Sequence, residues 1–147
     1  MEREILFRGK RTDNGEWVYG IPARFRKVDN IVRVTMIPEI DSEHIMSECV
    51  CVEPDTVEQF TGMLDRSQNR TRIFEGDIID FRIPGDYVGD VYIPCNVVHF
   101  GVVRYAYGEF TVHSPHSKGK VYGLFSVVAE YCAKVIGNVH DSPEMLG

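Results

Sequence analysis

Between Ile5 and Val139 the apolar residues come in short runs, and almost every run is cut off by Gly, Pro, Asn or Asp. Inside the runs apolar positions tend to alternate. A strand sends successive side chains to opposite faces, whereas a helix needs apolar residues every three or four. Asn30–Ile37 sets Ile31, Arg33 and Thr35 against Val32, Val34 and Met36. Gly76–Ile83 sets Ile79, Phe81 and Ile83 against Ile78, Asp80 and Arg82, and Pro84-Gly85-Asp86 stops it. Ile5–Arg8 and Glu16–Ile21 flank Asp13-Asn14-Gly15, whose Asn and Gly tolerate positive φ, so they are expected to form a hairpin. Further strands are expected at Glu48–Glu53, Val57–Phe60, Val91–Phe100, Val102–Tyr107, Glu109–His113 and Ala133–Val139, with a hairpin tip at Ala106–Glu109. Pro38–Ser47, Asp65–Thr71 and Ser114–Gly119 read as loops. Leu124–Tyr131 fits two patterns: Leu124, Val127, Val128 and Tyr131 fall at helical spacing, while Val127-Val128 favours a strand. Ser142-Pro143-Glu144 predicts a closing helical turn.

The expected fold is therefore mainly β, with antiparallel strands, an SH3-like or small-barrel portion and one or two short helical segments. So many strands leave edges that invite pairing with another chain, and closure into a barrel or self-association would cover them. A length of 147 residues suits a single domain, 1–147, with a core that needs no metal or disulfide staple. No apolar run reaches the ~20 residues of a membrane span, and Met1–Arg8 lacks a secretion signal, so the bacterial cytoplasm is the expected compartment.

The formal net charge of −6 disfavours a general affinity for nucleic acid backbones. The charge is uneven. Residues 1–28 hold seven basic groups against four acidic ones, and the acidic segment 29–65 holds nine acidic groups against Arg33 alone. Such asymmetry fits head-to-tail self-association or a charged partner, and it also fits a solvated surface.

No phosphate-binding glycine loop, nucleophile elbow or paired-histidine metal motif is present. Asp77 and Asp80 lie three apart on a strand and so point to opposite faces, which keeps them from acting as a pair. Asp77 is expected to cap a turn instead. Cys49-Val-Cys51 lacks the two-residue spacing of a zinc knuckle, Cys95 and Cys132 stand alone, and disulfides are not expected in the cytoplasm. His113 and His116 share a loop without an adjacent third ligand. No cofactor, metal or catalytic residue is expected. Basic and aromatic residues interleave at Phe7, Arg8, Lys10 and Arg11 and again at Arg104, Tyr105, Tyr107 and Phe110. Stacking platforms for single-stranded nucleic acid have this composition, as do aromatic β cores. Arg8, Lys10, Arg11, Arg104 and Tyr105 are the candidate binding residues, for a partner or for nucleic acid.

Leu6-Phe7-Arg8-Gly9-Lys10-Arg11 followed by Asn14-Gly15-Glu16-Trp17-Val18-Tyr19-Gly20 resembles the opening of the YopX family, small proteins encoded in phages and prophages. Val52–Gly62, Ile73-Phe74-Glu75-Gly76-Asp77-Ile78-Ile79, Gly101-Val102-Val103 with Phe110, and Val135-Ile136-Gly137-Asn138-Val139-His140 with Pro143-Glu144-Leu146 continue the likeness in order. Glu58 stands where the family usually has Gly. After Gly62 the chain reads Met-Leu-Asp-Arg-Ser-Gln-Asn-Arg-Thr in place of the usual Lys-Asp-Lys-Asn-Gly turn. The resemblance implies a mainly β fold and a phage or prophage origin. It implies no activity and supplies no catalytic or binding residue. The residues look like backbone requirements at Gly62, Gly76 and Gly101 and like core anchors at Trp17 and Phe74.

The function expected first is that of a non-enzymatic accessory factor, self-associating and bound to a host or phage protein. A nucleic-acid-binding accessory role in phage replication or expression, through the basic N-terminal hairpin, comes second. An enzyme built on a metal near His113 and His116 comes third.

Overall fold

The computed structural model describes residues 4–28, 31–38, 49–94, 98–115 and 119–147. His116, Cys95 and most of the expected loop after Pro38 lie outside them. The chain forms two compact units, residues 1–60 and 61–147. The fold is mainly antiparallel β.

In the first unit β1 (Phe7–Lys10), β2 (Trp17–Val28), β3 (Ile31–Pro38) and β4 (Val50–Val52) precede a 3-10 turn at Pro54–Thr56, and β5 (Glu58–Leu64) begins. The expected N-terminal hairpin forms: Phe7 pairs with Gly20 and Lys10 with Trp17 across a turn in which Gly15 takes a φ of 71°. β2 then runs on past Ile21, where the expected strand ended. Pro22 does not stop it, because the register shifts between Pro22 and Arg24, and a bulge is where a strand tolerates proline. The strands lie in the order β4-β3-β2-β1-β5. One bridge, Arg11↔Val52, with the Thr12 N–H donating to Cys51 O at 3.1 Å, brings β4 back beside the end of β1. Val34, Met36 and Val52 form the buried core, with Phe7, Val18, Val50 and Val57 packed against it.

The second unit takes the end of β5, then β6 (Arg72–Phe74), β7 (Asp77–Arg82), β8 (Asp86–Val88), β9 (Val91–Ile93), β10 (Val98–Ala106), β11 (Glu109–His113), β12 (Val121–Gly123), α1 (Leu124–Glu130) and β13 (Lys134–Asn138), and closes on a 3-10 turn at Pro143–Leu146. Five strands form a sheet in the order β12-β11-β10-β7-β13. β7 is paired on both sides, by β10 and β13, and Ile78, Ile79 and Phe81 on its two faces are buried. Leu124–Glu130 is a helix: Leu124, Val127 and Val128 share one buried stripe, and burying that stripe overrides the strand preference of Val127-Val128. Ile73, Ile79, Phe81, Val103, Val112 and Ala133 complete that core.

The expected strand Val91–Phe100 is instead two elements. Val91–Ile93 folds back on Asp86–Val88 through a turn in which Gly89 has a φ of 63°. β10 starts separately at Val98. Phe74 is buried as expected, but Trp17 is only half-buried. Gly76 has the expected left-handed φ of 77°. Gly101 does not, and lies inside β10; a Cβ there would meet His113 O at 2.7 Å, so its requirement is close strand approach rather than a turn.

Candidate functional site

The five sequence candidates fall into two groups. Arg8, Lys10 and Arg11 lie at the N-terminal hairpin of the first unit. Arg8 points inward: its Nη2 is 2.6 Å from Glu58 Oε2, and both side chains are more than nine-tenths buried. The Arg8 guanidinium also sits 4.6 Å from the centre of the Trp17 ring, and Lys10 Nζ lies 5.3 Å from the same ring. Arg11 lies beside Asp13, with Nη2–Oδ2 2.8 Å and Nε–Oδ1 2.9 Å. The Asp13 carboxyl is held below the usual carboxylate range by the hydrogen bond from Arg11. Of the three basic groups, one is therefore interior and one is matched by its own carboxylate. Sequence reading could see the charges but not these pairings.

Arg104 and Tyr105 lie on β10 of the second unit, both exposed. The Tyr105 and Phe110 rings meet edge to face with centroids 5.2 Å apart. The β10–β11 turn uses Tyr107 at φ 57° and Gly108 at φ 82°, the double positive φ of a tight hairpin. It leaves Tyr107 93 % exposed.

The β8–β9 hairpin is the feature that sequence reading missed. Tyr87, Val88, Val91, Tyr92 and Ile93 are 47–67 % exposed along it. The Tyr87 and Tyr92 rings lie 5.2 Å apart, and Tyr92 Oη accepts from the Gly85 N–H at 3.1 Å. The only available signal was Gly89-Asp90 between two valines, a turn dipeptide inside an apolar run.

Two buried carboxylates, Asp65 and Asp77, hold backbone N–H groups. Asp77 Oδ2 accepts from the Phe74 N–H at 2.8 Å, the expected turn cap, and its Oδ1 accepts from Asn138 Nδ2 at 3.4 Å. Asp65, expected in an exposed loop, is only 1 % exposed. Its Oδ1 accepts from the Ser67 hydroxyl at 2.6 Å and from the Ser67 and Thr71 N–H groups, and its Oδ2 from the Val135 N–H at 3.0 Å. Burial pushes the Asp65 carboxyl up, but those hydrogen bonds outweigh it and hold the group below the usual range. His113 Nε2 lies 2.9 Å from Thr111 Oγ1. Cys49, Cys51 and Cys132 are exposed thiols. Among the described residues no three His, Cys, Asp or Glu side chains gather at one point. No helix among them is long and apolar enough to cross a membrane.

The fold defines a mainly antiparallel β protein of two compact units, whose second unit holds the turn-binding carboxylates Asp65 and Asp77 and carries exposed aromatic hairpins. The family described as YopX protein matches residues 6–147, and the chain belongs to that family. No curated protein matches it. The crystal structure of protein EF1440 from Enterococcus faecalis is similar in fold, with 22 % identity and a TM-score of 0.53 over 99 % of this chain and 100 % of that one.

Proposed function

We propose that this chain is a non-enzymatic accessory protein of phage or prophage origin that works in the bacterial cytoplasm by binding, both to a copy of itself and to a host or phage protein. The β8–β9 hairpin carries this reading. Five large apolar side chains in eight residues stand in solvent there. Clustered aromatic and aliphatic exposure of this kind marks protein interaction surfaces.

The test is the mass in solution at tens of micromolar, followed by capture from infected-host lysate with and without nuclease. The expected result is an oligomer, and a captured protein that survives nuclease. Both should be lost in the double variant Tyr87→Ser, Val91→Ser. A monomer that retains no protein after nuclease removes the reading.

A second reading, nucleic-acid binding, rests on exposed Arg104, Tyr105 and Tyr107 at one hairpin. It predicts salt-dependent binding of oligothymidylate that Arg104→Glu weakens. Affinity unchanged by that variant rejects the site.

A further inference from the structure

β2 and β3 extend beyond the buried core of the first unit as a two-stranded arm. Arg26 and Arg33 are direct cross-strand partners on it, and Val28 pairs with Ile31 two residues farther out, beyond Lys27 and Val32. Residues two apart on a strand share a face, so two arginines and two aliphatic side chains lie together. These four residues line one cavity of about 280 Å³. Arg26 and Arg33 are exposed, and neither guanidinium has an acidic partner among the described residues. Like charges directly opposite each other in a sheet are unfavourable, and a carboxylate placed beside them removes that cost.

The same stretch is also a strand edge. β4 pairs with β3 only at Val34, Thr35 and Met36. The chain then turns away, with the Glu53 N–H donating to Lys10 O at 2.8 Å. The outer edge of Ile31–Arg33 is therefore without a neighbouring strand among the described residues. Beside it lies a cleft of about 390 Å³, walled by Ile31–Val34 on one side and by Thr12, Cys51–Val52, Glu53 and Pro54 on the other.

We propose that this edge takes up an extended segment of a protein partner, which adds as a strand in line with β4 and carries acidic and aliphatic residues in alternation. This rests on the reading of the protein as a binding module and names the partner's chemistry. Main-chain hydrogen bonds to Ile31–Arg33 supply the docking, and alternate side chains supply the choice of partner. The acidic positions fall on the face of Arg33 and Arg26. The aliphatic positions fall on the opposite face, that of Val32 and buried Val34. A second copy of the chain paired edge to edge would bring four arginines onto one face, so it is disfavoured as the occupant. Nucleic acid is disfavoured too, because among the described residues no aromatic ring lines either cavity for bases to stack on.

The test is a fluorescence anisotropy titration with a labelled, end-capped Glu-Val-Glu-Val-Glu-Val peptide. The controls are the same peptide N-methylated at alternate residues, a Lys-Val peptide and oligothymidylate. Saturable binding of the Glu-Val peptide is expected, lost about tenfold or more on N-methylation and in the double variant Arg26→Glu, Arg33→Glu. That variant should gain the Lys-Val peptide, which shows that it is folded. No saturable binding up to ~1 mM, equal binding by the N-methylated peptide, equal binding by the variant, or displacement by oligothymidylate would each overturn the proposal. A partner that still depends on Tyr87, alongside a silent peptide titration, overturns this site alone and leaves the binding-module reading in place.

Discussion

Arg8 on β1 and Glu58 on β5 are direct cross-strand partners, and their side chains meet in the interior with Nε 2.7 Å and Nη2 2.6 Å from the same Oε2. Glu58, where the family resemblance leads one to expect glycine, places a carboxylate against a buried guanidinium. Opposite charges attract strongly in a low-dielectric interior, but both have first to be stripped of water. Removing one partner strands the other's charge. Glu58→Gln should therefore cost about 3 kcal/mol, while the apolar double replacement Arg8→Met, Glu58→Leu should cost clearly less. Urea denaturation followed by the fluorescence of Trp17, the single tryptophan and a neighbour of Arg8, checks this. A double variant less stable than Glu58→Gln would refute it.

Asp65 makes stability depend on pH. Its folded pKa is depressed by the Ser67 hydroxyl and three backbone N–H groups, which outweigh burial. Its contribution is therefore fully present above the unfolded pKa of ~3.9, and is lost as pH falls through the lower folded value. Asp65→Asn should lower stability by about 2 kcal/mol at neutral pH, and the gap to wild type should shrink on acidification. Melting curves of both proteins between pH 7 and pH 3 measure the gap; a constant one would assign the effect to another group.

Gly101→Ala should be costlier than an ordinary surface change. The added Cβ would lie 2.7 Å from both His113 O and Val112 Cγ1, and the β10–β11 pairing would have to part. Forced overpacking of this kind costs about 1–3 kcal/mol. A melting temperature equal to wild type would show that the strands separate easily.

Amide exchange should be slowest in β7 and fast at Ile31–Arg33. β7 is hydrogen-bonded on both sides, with Ile78, Ile79 and Phe81 buried. Ile31–Arg33 is exposed and, among the described residues, has a strand on one side only. Opening free energy follows such burial and pairing. Comparable protection at the two sites would mean that the edge of β3 is already covered, which would also count against a strand-addition site there.

Local chemistry was legible where it acts alone. Asn14-Gly15 predicted a hairpin because few residues tolerate that backbone, and the turn forms with Gly15 at φ 71°. Alternation in Gly76–Ile83 predicted a strand with two faces, and β7 has them. Asp77 was expected to cap a turn, and it accepts from the Phe74 N–H three residues back. The motif blocks that carry the family resemblance were legible for the same reason, since each is a short stretch.

Tertiary structure decided what depends on register. Alternation states which side chains share a face, but not which strand lies opposite. Arg8 read as an exposed binding residue because its partner is fifty positions away, and only the β1–β5 register brings Glu58 to it. The strand expected to end at Ile21 runs on through Pro22, which lacks the N–H a ladder needs, because a bulge absorbs it. Leu124–Tyr131 fitted both a helix and a strand until packing against the β sheet selected the helix. The Arg26–Arg33 pair follows the same rule: each arginine is unremarkable in sequence, and only the pairing of β2 with β3 sets two like charges face to face.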